Sequence, residues 1–412
     1  MYFHRHLETR LQELSKLFKI VLITGARQVG KSTLLANVFP QLKSITFDPI
    51  QDLYHIKEDP DRFLDNFPAP LILDEVQYRP ELLPALKRKV DQTSQKGQYF
   101  LTGSQNLSII KTVSESLAGR VGILHLDPFS DYELANDPKL LSHHWLDAYL
   151  NNPESLLKKF NGILKHNYTL YEQIWRGNMP GLLNTKNDFV PDYFNSYVQT
   201  YIERDIRTLG NIQDLSLFNR FISILAALSS QEINHSHLGR EIGIAPKTAN
   251  QWLDLLNYTY QWREIWPYYI NQIKRISKKR KGYITDTGIA CYLQSISSPE
   301  ALAKSPLLGA LFETYCANLI FKLLTACSIF PKVYHWRTNG GAKVDMILER
   351  DGKLFPIEIK GKSNLSKHDA RGIQAFHDTY PNVETGLILY IGKEAYQLSD
   401  SVIAWPWDSV VL

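Results

Sequence analysis

Glycines and a lysine recur between residues 25 and 33 at a spacing that suits phosphate binding. Gly25 to Ser32 match the pattern G-x-x-x-x-G-K-[ST], directly after the apolar run Ile20 to Thr24. The backbone N–H groups of such a loop wrap phosphate oxygens, its lysine reaches the β- and γ-phosphates, and its hydroxyl faces Mg²⁺. We therefore predict a site for ATP and Mg²⁺ formed by Gly25, Ala26, Arg27, Gln28, Val29, Gly30, Lys31, Ser32 and Thr33.

A pair of acids follows a short apolar run in the sequence APLILDEVQ, residues 69–77. We expect Asp74 to share Mg²⁺ with Ser32 and Glu75 to orient the attacking water, because phosphoryl transfer depends mostly on positioning and charge stabilisation. An acidic N-cap for the next helix is the alternative. A third strand-like stretch supplies three candidates for contact with the γ-phosphate: Thr102, Ser104 and Gln105.

Arg120 lies in the segment SESLAGRVGILHLDPFS that comes next. An arginine there could stabilise charge on the γ-phosphate, in its own chain or from a neighbouring subunit, since such arginines act in both ways. A structural arginine paired with a surface acid is the alternative. The sequence leaves open whether identical chains form a homo-oligomer.

A hairpin is expected near the end of the chain, in GAKVDMILERDGKLFPIEIKGK. Asp351-Gly352 predicts a two-residue turn, because both positions of a type I′ turn need positive φ. The turn fixes a register in which one side carries the apolar pairs Val344–Ile359, Met346–Ile357 and Leu348–Phe355.

On the other side of this hairpin, Asp345 faces Glu358 and Lys343 faces Lys360. Two carboxylates with Cβ atoms about 5 Å apart repel each other, and an oxygen-loving ion such as Mg²⁺ is the simplest remedy. Lys360 could then steady a metal-bound hydroxide or the transition-state phosphate. We predict a metal site, with a merely polar surface as the alternative.

The middle of the chain is predicted to form a DNA-binding domain. Residues 216–285 contain three helix patterns, and the break at GIA resembles the turn of a helix-turn-helix. Its expected core residues are Ile242, Trp252, Leu253 and Leu256. A basic run, residues 274–281, holds six basic residues in eight. The candidates for DNA contact are Lys247, Thr248, Gln251, Lys278, Lys279 and Arg280.

The middle region has two alternative interpretations besides DNA binding. A charge run is usually a solvated loop, and modules of this shape also bind protein. Just before it, Tyr193, Phe194, Tyr197 and Tyr201 recur at helical spacing, which favours a core face. The charges of Glu203, Arg204, Asp205 and Arg207 would form an intersubunit network or a solvated helix face.

Composition limits these interpretations. The 412 residues are 44% hydrophobic, which suffices for two to four domains. The net charge of +4 does not by itself argue for nucleic acid. The three cysteines lack metal-ligand spacing and suit a reducing compartment. No stretch approaches the roughly 20 apolar residues of a membrane span, so we expect a cytoplasmic protein without a membrane partner.

Several motifs together carry a family resemblance. TGARQVGKSTLL, LILDEVQ, LTGSQNLSIIKTVSESLAGRV, LDPFS, WRGNMPGLL, YVQTYIERDIR and KGYITDTGIACYL, in this order, resemble a prokaryotic family of AAA-type ATP-binding proteins with a C-terminal domain of unknown function. The resemblance covers nearly the whole chain. It implies an ATP-dependent machine with a winged-helix middle and a nuclease-like end.

The end of the chain resembles the PD-(D/E)xK nuclease fold. The resemblance carries Asp345, Glu358 and Lys360 onto the two acids and the lysine of that fold. It also carries Glu313 onto a glutamate of the first helix and Gln374 onto an accessory polar position. The first acid follows Val344 rather than proline, which departs from the pattern.

The predicted fold class is therefore α/β, in four parts: a P-loop NTPase domain with a parallel sheet (1–140), a helical lid or linker (141–212), a winged-helix domain (213–298) and a restriction-endonuclease-like domain (299–412). The predicted catalytic residues are Glu75, Arg120, Asp345, Glu358 and Lys360. The predicted metal ligands are Ser32, Asp74, Glu313, Asp345 and Glu358.

Three functions follow from these expectations. The first is an ATP-driven DNA enzyme whose Mg²⁺-dependent last domain cuts or clamps DNA. The second is an ATP-switched DNA-binding regulator that does not cut. The third is a signalling or scaffold ATPase whose last domains bind protein.

Overall fold

The computed structural model describes residues 2–411 except 49, 53, 105–116, 143, 203–211, 213, 272–274, 276–277 and 328–329. Gln105 and the charged residues 203–207 lie outside the described residues. The chain divides into two compact units. The first comprises Met1–Phe129, Met179–Gly181 and Tyr258–Tyr260, and the second comprises Ser130–Asn178, Leu182–Asn257 and Gln261–Leu412.

The first unit alternates strands with helices. Its elements are α1 (Leu7–Leu17), β1 (Ile20–Thr24), α2 (Lys31–Val38), β2 (Lys43–Thr46), α3 (Pro60–Asn66), β3 (Leu71–Asp74), α4 (Leu82–Asp91), β4 (Tyr99–Gly103) and β5 (Val121–His125).

These strands form a five-stranded parallel sheet in the order β2-β3-β4-β1-β5, as the sequence predicts. Ile20 and Leu22 of β1 enter one apolar cluster, while Val21 and Ile23 enter another. The central strand is thus buried on both faces, which explains its unbroken apolar run. Because the strands are parallel, their carboxyl ends meet at one edge of the sheet.

The second unit holds the remaining elements. Its first half contains α5 (Asp131–Leu134), α6 (Pro138–Ser142), α7 (Trp145–Asn151), α8 (Leu156–Lys159), β6 (Phe160–Ile163), α9 (Leu170–Arg176), α10 (Val190–Tyr197), α11 (Leu215–Ala227), β7 (Gln231–Ile233), α12 (His235–Ile242), α13 (Pro246–Tyr258), β8 (Trp262–Pro267) and β9 (Arg280–Ile284). Its second half contains α14 (Thr287–Leu293), α15 (Pro299–Ala303), α16 (Leu308–Leu324), β10 (Lys332–Arg337), β11 (Lys343–Arg350), β12 (Lys353–Lys360), α17 (Arg371–Thr379), β13 (Gly386–Tyr390), β14 (Tyr396–Ser399), β15 (Val402–Pro406) and β16 (Ser409–Val411).

A mixed nine-stranded sheet runs through the second unit in the order β14-β15-β13-β12-β11-β10-β8-β9-β7. Strand β8 pairs in parallel with β10, with Tyr334 opposite Trp266. This pairing joins the segment 213–298 to the segment 299–412 in one continuous sheet. The structure therefore does not separate these two segments, or the segment 141–212, into compact units of their own.

The predicted hairpin is confirmed in its turn and most of its register. Asp351 and Gly352 have φ values of 53° and 77°. The ladder between β11 and β12 pairs Met346 with Ile357 and Leu348 with Phe355.

One part of the hairpin prediction is wrong. Strand β10 opposes Ile347 with Tyr334 but Val344 with Trp336, so the register shifts at Asp345. Because of this bulge, Val344 enters the same apolar cluster as Ile347 instead of sharing a side with Met346 and Leu348. The bulge therefore changes the face on which side chains lie at Asp345, the residue that the sequence predicts to be an acid of the site.

Of the expected core residues before and within the middle region, six are buried: Phe194, Tyr197, Ile242, Trp252, Leu253 and Leu256. Tyr193 is half-buried, and the side chain of Tyr201 lies outside the described residues. All three cysteines are buried and free of disulfides. Across the residues that the structure describes, no helix is long and apolar enough to span a bilayer.

The hairpin turn gives a test of the fold. A Cβ on Gly352 meets no atom within 4 Å, but its φ of 77° is one that side chains rarely adopt. We expect Gly352→Ala to lower the free energy of unfolding by about 1 kcal/mol, measured by urea denaturation. The matched control is Gly309→Ala in α16, where a Cβ also meets nothing within 4 Å and φ is ordinary. It should leave stability unchanged or raise it, and equal losses in both variants would contradict the assignment of the turn.

Candidate functional site

The loop between β1 and α2 has the backbone of an anion-binding turn. Gly25, Gln28 and Gly30 have φ values of 150°, 61° and 94°. A Cβ on Gly25 would lie 2.2 Å from the carbonyl oxygen of Leu126, so a side chain does not fit there. Gly30 is the N-cap of α2, and the partial positive charge of that helix end therefore faces the loop.

Lys31 is buried inside this loop. Its ammonium donates hydrogen bonds to the carbonyl oxygens of Gly25 at 3.0 Å and Ala26 at 2.8 Å. Arg5, which the sequence did not single out, holds the loop from the other side, donating to the carbonyl oxygens of Val29 at 2.9 Å and Asp127 at 2.6 Å. Lys31 and Arg5 thus both hold the backbone of the loop.

Asp74 ends β3 at the same edge of the sheet. Its carboxylate accepts hydrogen bonds from three hydroxyls: those of Ser32 at 2.7 Å, Thr46 at 3.2 Å and Thr102 at 2.5 Å. The structure thus brings together Ser32 and Asp74, the two residues predicted to share Mg²⁺. Thr46 was not predicted, because a lone threonine at the end of a strand gives no signal in the sequence.

Glu75 sits in a left-handed conformation with φ of 59°. Its backbone N–H donates to the Thr102 hydroxyl at 2.9 Å, and its carboxylate accepts from the Gln77 side chain and from the Ser104 hydroxyl at 3.3 Å. Thr102 therefore positions both acids, and Ser104 positions Glu75. These hydrogen bonds engage Thr102 and Ser104, two of the three residues predicted as candidates for contact with the γ-phosphate.

The structure does not bring Arg120 to this site. Arg120 precedes β5, and its carbonyl oxygen accepts from the N–H of Ile20 at the start of β1. The start of β1 lies about 13 Å from the end of the strand that leads into the phosphate loop, because a strand rises about 3.3 Å per residue. Its guanidinium is paired with both carboxylate oxygens of Asp91, at 2.6 and 2.8 Å. A role in its own chain's site is therefore corrected to a structural ion pair, and a role in a neighbouring subunit stays a prediction.

A second cluster of charges lies in the nine-stranded sheet, around Asp345. Asp345 and Glu358 are adjacent, as predicted, because the N–H of Asp345 donates to Glu358 Oε2 at 3.2 Å and the N–H of Ile359 donates to Asp345 Oδ2 at 3.1 Å. Lys360 bonds Glu358 Oε1 at 2.5 Å, and Lys343 bonds Asp345 Oδ1 at 3.0 Å.

The structure adds Lys281, which the sequence placed only in the basic run 274–281. Its ammonium lies 2.9 Å from Asp345 Oδ1 and 2.5 Å from Glu313 Oε1, and its side chain is 7% exposed. Glu313 thus reaches the cluster, but through a lysine. The one signal in the sequence is that Lys281 ends the basic run and begins the apolar strand GYI.

These contacts set the charges of the cluster. Burial opposes the ionisation of Asp345, but Lys281 and Lys343 hold its pKa below its usual range. Burial would also neutralise Lys281, but Asp345 and Glu313 raise its pKa well above the usual value. Burial and the charge of Asp345 raise the pKa of Glu358 to about 7. Lys281 is therefore a buried cation facing an ionised Asp345.

The predicted divalent metal does not fit this cluster. The Lys281 ammonium already lies between Asp345 and Glu313, two of the three acids predicted to bind the ion. Among the residues that the structure describes, no group of three or more His, Cys, Asp or Glu side chains is arranged to hold a metal. Gln374 does not reach the cluster either, since its side chain bonds Asp378 at 3.1 Å and Ser401 at 3.3 Å.

The candidates for DNA contact differ in exposure. Lys247, Gln251, Lys278 and Lys279 are exposed, and Thr248 is half-buried. Arg280 is engaged within the unit, since its guanidinium stacks 3.6 Å from the Trp266 ring centre and bonds Glu264 at 3.1 Å. We therefore correct Arg280 from a free contact to a residue that stabilises its strand.

His335 gives the unit a pH-dependent stability. Burial and the charge of Lys281 lower the pKa of His335 to about 4, whereas the pKa of a histidine in an unfolded chain is about 6.5. Between these values the unfolded chain binds more protons, so this contribution to stability is present above pH 6.5 and is lost as pH falls toward 4. As the pH falls from 7 to 4.5, the free energy of unfolding of His335→Gln should decrease less than that of the wild type. Denaturation measured across this pH range tests the difference.

The control for this prediction is His368→Gln, at an exposed position. It should follow the wild-type dependence on pH. If His335→Gln and His368→Gln both follow the wild type, His335 does not supply the effect.

Comparison with known proteins divides the chain into three matched segments. Residues 17–135 match the family described as an AAA domain. Residues 167–300 and 308–410 match two domains of unknown function, DUF8612 and DUF4143. The uncharacterized proteins Rv2008c of Mycobacterium tuberculosis and Mb2031c of Mycobacterium bovis are each 26% identical over 412 residues, which span 99% of this chain and 84% of theirs.

Two solved structures are also among the matches to this chain. The Walker-type ATPase PABY2304 of Pyrococcus abyssi is 18% identical, with 71% of this chain and 96% of that one covered and a TM-score of 0.43. The RuvB Holliday junction branch migration motor of Thermotoga maritima is 14% identical, with 63% and 89% covered and a TM-score of 0.30. The AAA-domain match covers the phosphate loop, Asp74 and Glu75, so the front of this chain is an AAA-type P-loop ATPase domain.

Proposed function

We propose that this protein hydrolyses ATP in its first unit and holds nucleic acid with its second. The observation that carries the first part is the bond between Ser32 and Asp74 beside the phosphate loop, with Glu75 next in the chain. These groups stand at the carboxyl edge of a parallel sheet, where ligands bind in such folds.

Each residue of the nucleotide site has a separate task. The N–H groups of the loop and Lys31 would hold the phosphates, and Ser32 with Asp74 would hold Mg²⁺. When bound, Mg²⁺ neutralises charge that develops on the phosphate oxygens. Glu75, fixed by Thr102, Gln77 and Ser104, would orient the attacking water.

The ATPase proposal is tested by two substitutions with different expected effects. Glu75→Gln should bind nucleotide normally but hydrolyse ATP about 100-fold more slowly or worse, whereas Lys31→Ala should also lose nucleotide affinity. Steady-state hydrolysis and fluorescent nucleotide binding measure both. Arg88→Ala, at an exposed ion pair with Asp61, is the control. Normal hydrolysis by Glu75→Gln would remove Glu75 from the mechanism.

The order of elements supports a winged helix in the second unit. Elements α11, β7, α12, α13, β8 and β9 follow one another as helix, strand, two helices and two strands, and β9 pairs antiparallel with both β7 and β8. Helix α13 buries Ala249, Trp252 and Leu253. Lys247 and Gln251 point away from that core and are exposed, as groove contacts must be.

Basic side chains around the carboxylate cluster also support binding of nucleic acid. One cleft of about 400 Å³ is lined by residues that include Lys279, Lys281, Arg337 and Lys343. A second cleft, of about 630 Å³, adjoins it at Lys343 and includes Lys360, Lys362, His368 and Arg371. Lys281, Lys343, Lys360 and Lys362 are paired with acids. The charge that these clefts offer to a duplex, which carries one negative charge per about 1.7 Å of its axis, therefore comes from Lys279, Arg337 and Arg371.

The nucleic-acid proposal is tested at the end of the basic run. Lys278→Glu/Lys279→Glu should weaken duplex DNA binding at least tenfold and lower the slope of log K against log salt by about two, roughly one per lost phosphate contact. Fluorescence anisotropy over a salt series measures both quantities.

The matched control for this change is Lys158→Glu/Lys304→Glu, which makes the same charge change at two exposed positions. It should bind nearly as the wild type does. Equal losses of DNA affinity in both double variants would show that the effect comes from net charge alone. A wild-type chain that binds no duplex would discard this part of the proposal and leave the protein-binding scaffold.

A further inference from the structure

The ammonium of Lys281 lies at the centre of the buried acids. It contacts Asp345 Oδ1 at 2.9 Å and Glu313 Oε1 at 2.5 Å, on side chains from a strand and a helix. Lys281 itself is held in place, because β9 is paired on both edges, with Glu232 and Ile265 opposite Lys281. Nor can β9 easily shift, since Gly282 packs so closely on the Trp262 ring that a Cβ would lie 1.9 Å from it.

All four carboxylate oxygens of Asp345 and Glu358 are already hydrogen-bonded. Asp345 Oδ1 accepts from Lys281 and Lys343, and Oδ2 accepts from the N–H of Ile359. Glu358 Oε1 accepts from Lys360, and Oε2 accepts from the N–H of Asp345. A divalent ion would have to displace these donors and reach oxygens at about 2.0–2.6 Å.

Charge balance points the same way. Even when all three carboxyl groups are ionised, those of Asp345, Glu313 and Glu358 face an equal number of ammonium groups, those of Lys281, Lys343 and Lys360. Buried charges are tolerated when they are paired and hydrogen-bonded, and this requirement is met by the chain alone. A further divalent cation would leave the cluster with uncompensated positive charge.

We infer that Lys281 takes the place of a divalent cation in this cluster, so that the site binds no Mg²⁺ and does not cleave phosphodiesters. With the proposed function, it follows that nucleic acid in the neighbouring basic clefts is held without a metal and released intact. Lys281 is a positioning residue here, because it acts through Asp345 and Glu313.

The first experiment uses the nucleotide-free full chain and Mn²⁺ as the probe. Mn²⁺ titrated into the wild type and into Asp345→Asn, followed by electron paramagnetic resonance, should give the same binding curve. Any site in the wild type that Asp345→Asn removes overturns the inference.

The second experiment removes the lysine. Lys281→Met leaves its acids unpaired, so its melting temperature should fall below that of the wild type in EDTA and recover as Mn²⁺ or Mg²⁺ is added. Lys281→Met/Asp345→Asn should show no recovery, and Lys281→Arg should resemble the wild type with no response to metal. A folded Lys281→Met without an Asp345-dependent response to metal contradicts the substitution of lysine for metal. If Lys281→Met does not fold, the Mn²⁺ titration of the wild type decides.

The third experiment separates this inference from the proposed function. At matched ionic strength the wild type should bind duplex DNA equally in EDTA and in Mg²⁺, and should leave it uncut with Mn²⁺ and ATP. Cleavage that Asp345→Asn abolishes overturns the inference. Failure to bind any DNA defeats the proposed function instead, and the Mn²⁺ titration still stands as the test of Lys281.

Discussion

The ion pair between Lys281 and Asp345 joins parts of the second unit that are distant in sequence. Its two residues are separated by 64 positions, and in the sheet β8 and β10 lie between their strands. Removing either charge from water costs several kcal/mol, so each is stable only while the other is present. Glu313 extends this dependence to helix α16. The middle and the end of the chain therefore share one electrostatic centre as well as one sheet.

The two acidic sites of this protein differ in the kind of partner that each acid has. Asp74 is bonded to the hydroxyls of Ser32, Thr46 and Thr102, which orient a carboxylate without neutralising it. Asp345 is bonded to two ammonium groups, which neutralise it. An acid oriented by neutral groups keeps its charge available for a cation. The same residue type is thus oriented by neutral groups in one unit and neutralised by ammonium groups in the other.

The features that the sequence predicted correctly depend on short stretches of chain. The phosphate loop and the strand before it are contiguous, and the Asp351-Gly352 turn fixes the pairing of Met346 with Ile357 by local geometry. The sequence could show that Asp345 and Glu358 repel each other and need a cation. It could not show which cation, because Lys281 reaches Asp345 only through the order of strands in the folded sheet.

The errors have equally physical causes. The sequence offers Arg120 as a contact for the γ-phosphate, but a five-residue strand separates it from the edge where the phosphate loop lies. Arg280 belongs to a basic run, yet an aromatic ring and an acid on the neighbouring strand engage it. In both cases the charge type was visible in the sequence and its partner was not.

The bulge at Asp345 divides strand β11 into two segments of opposite phase. Before it, the residue that packs against α17 is even-numbered Val344, and after it the corresponding residue is odd-numbered Ile347. A hydrophobic pattern read along the whole strand with unbroken alternation assigns one segment to the wrong face of the sheet. In more distant relatives this strand will therefore look like a poor strand, or like a one-residue misalignment, at the position of its acid.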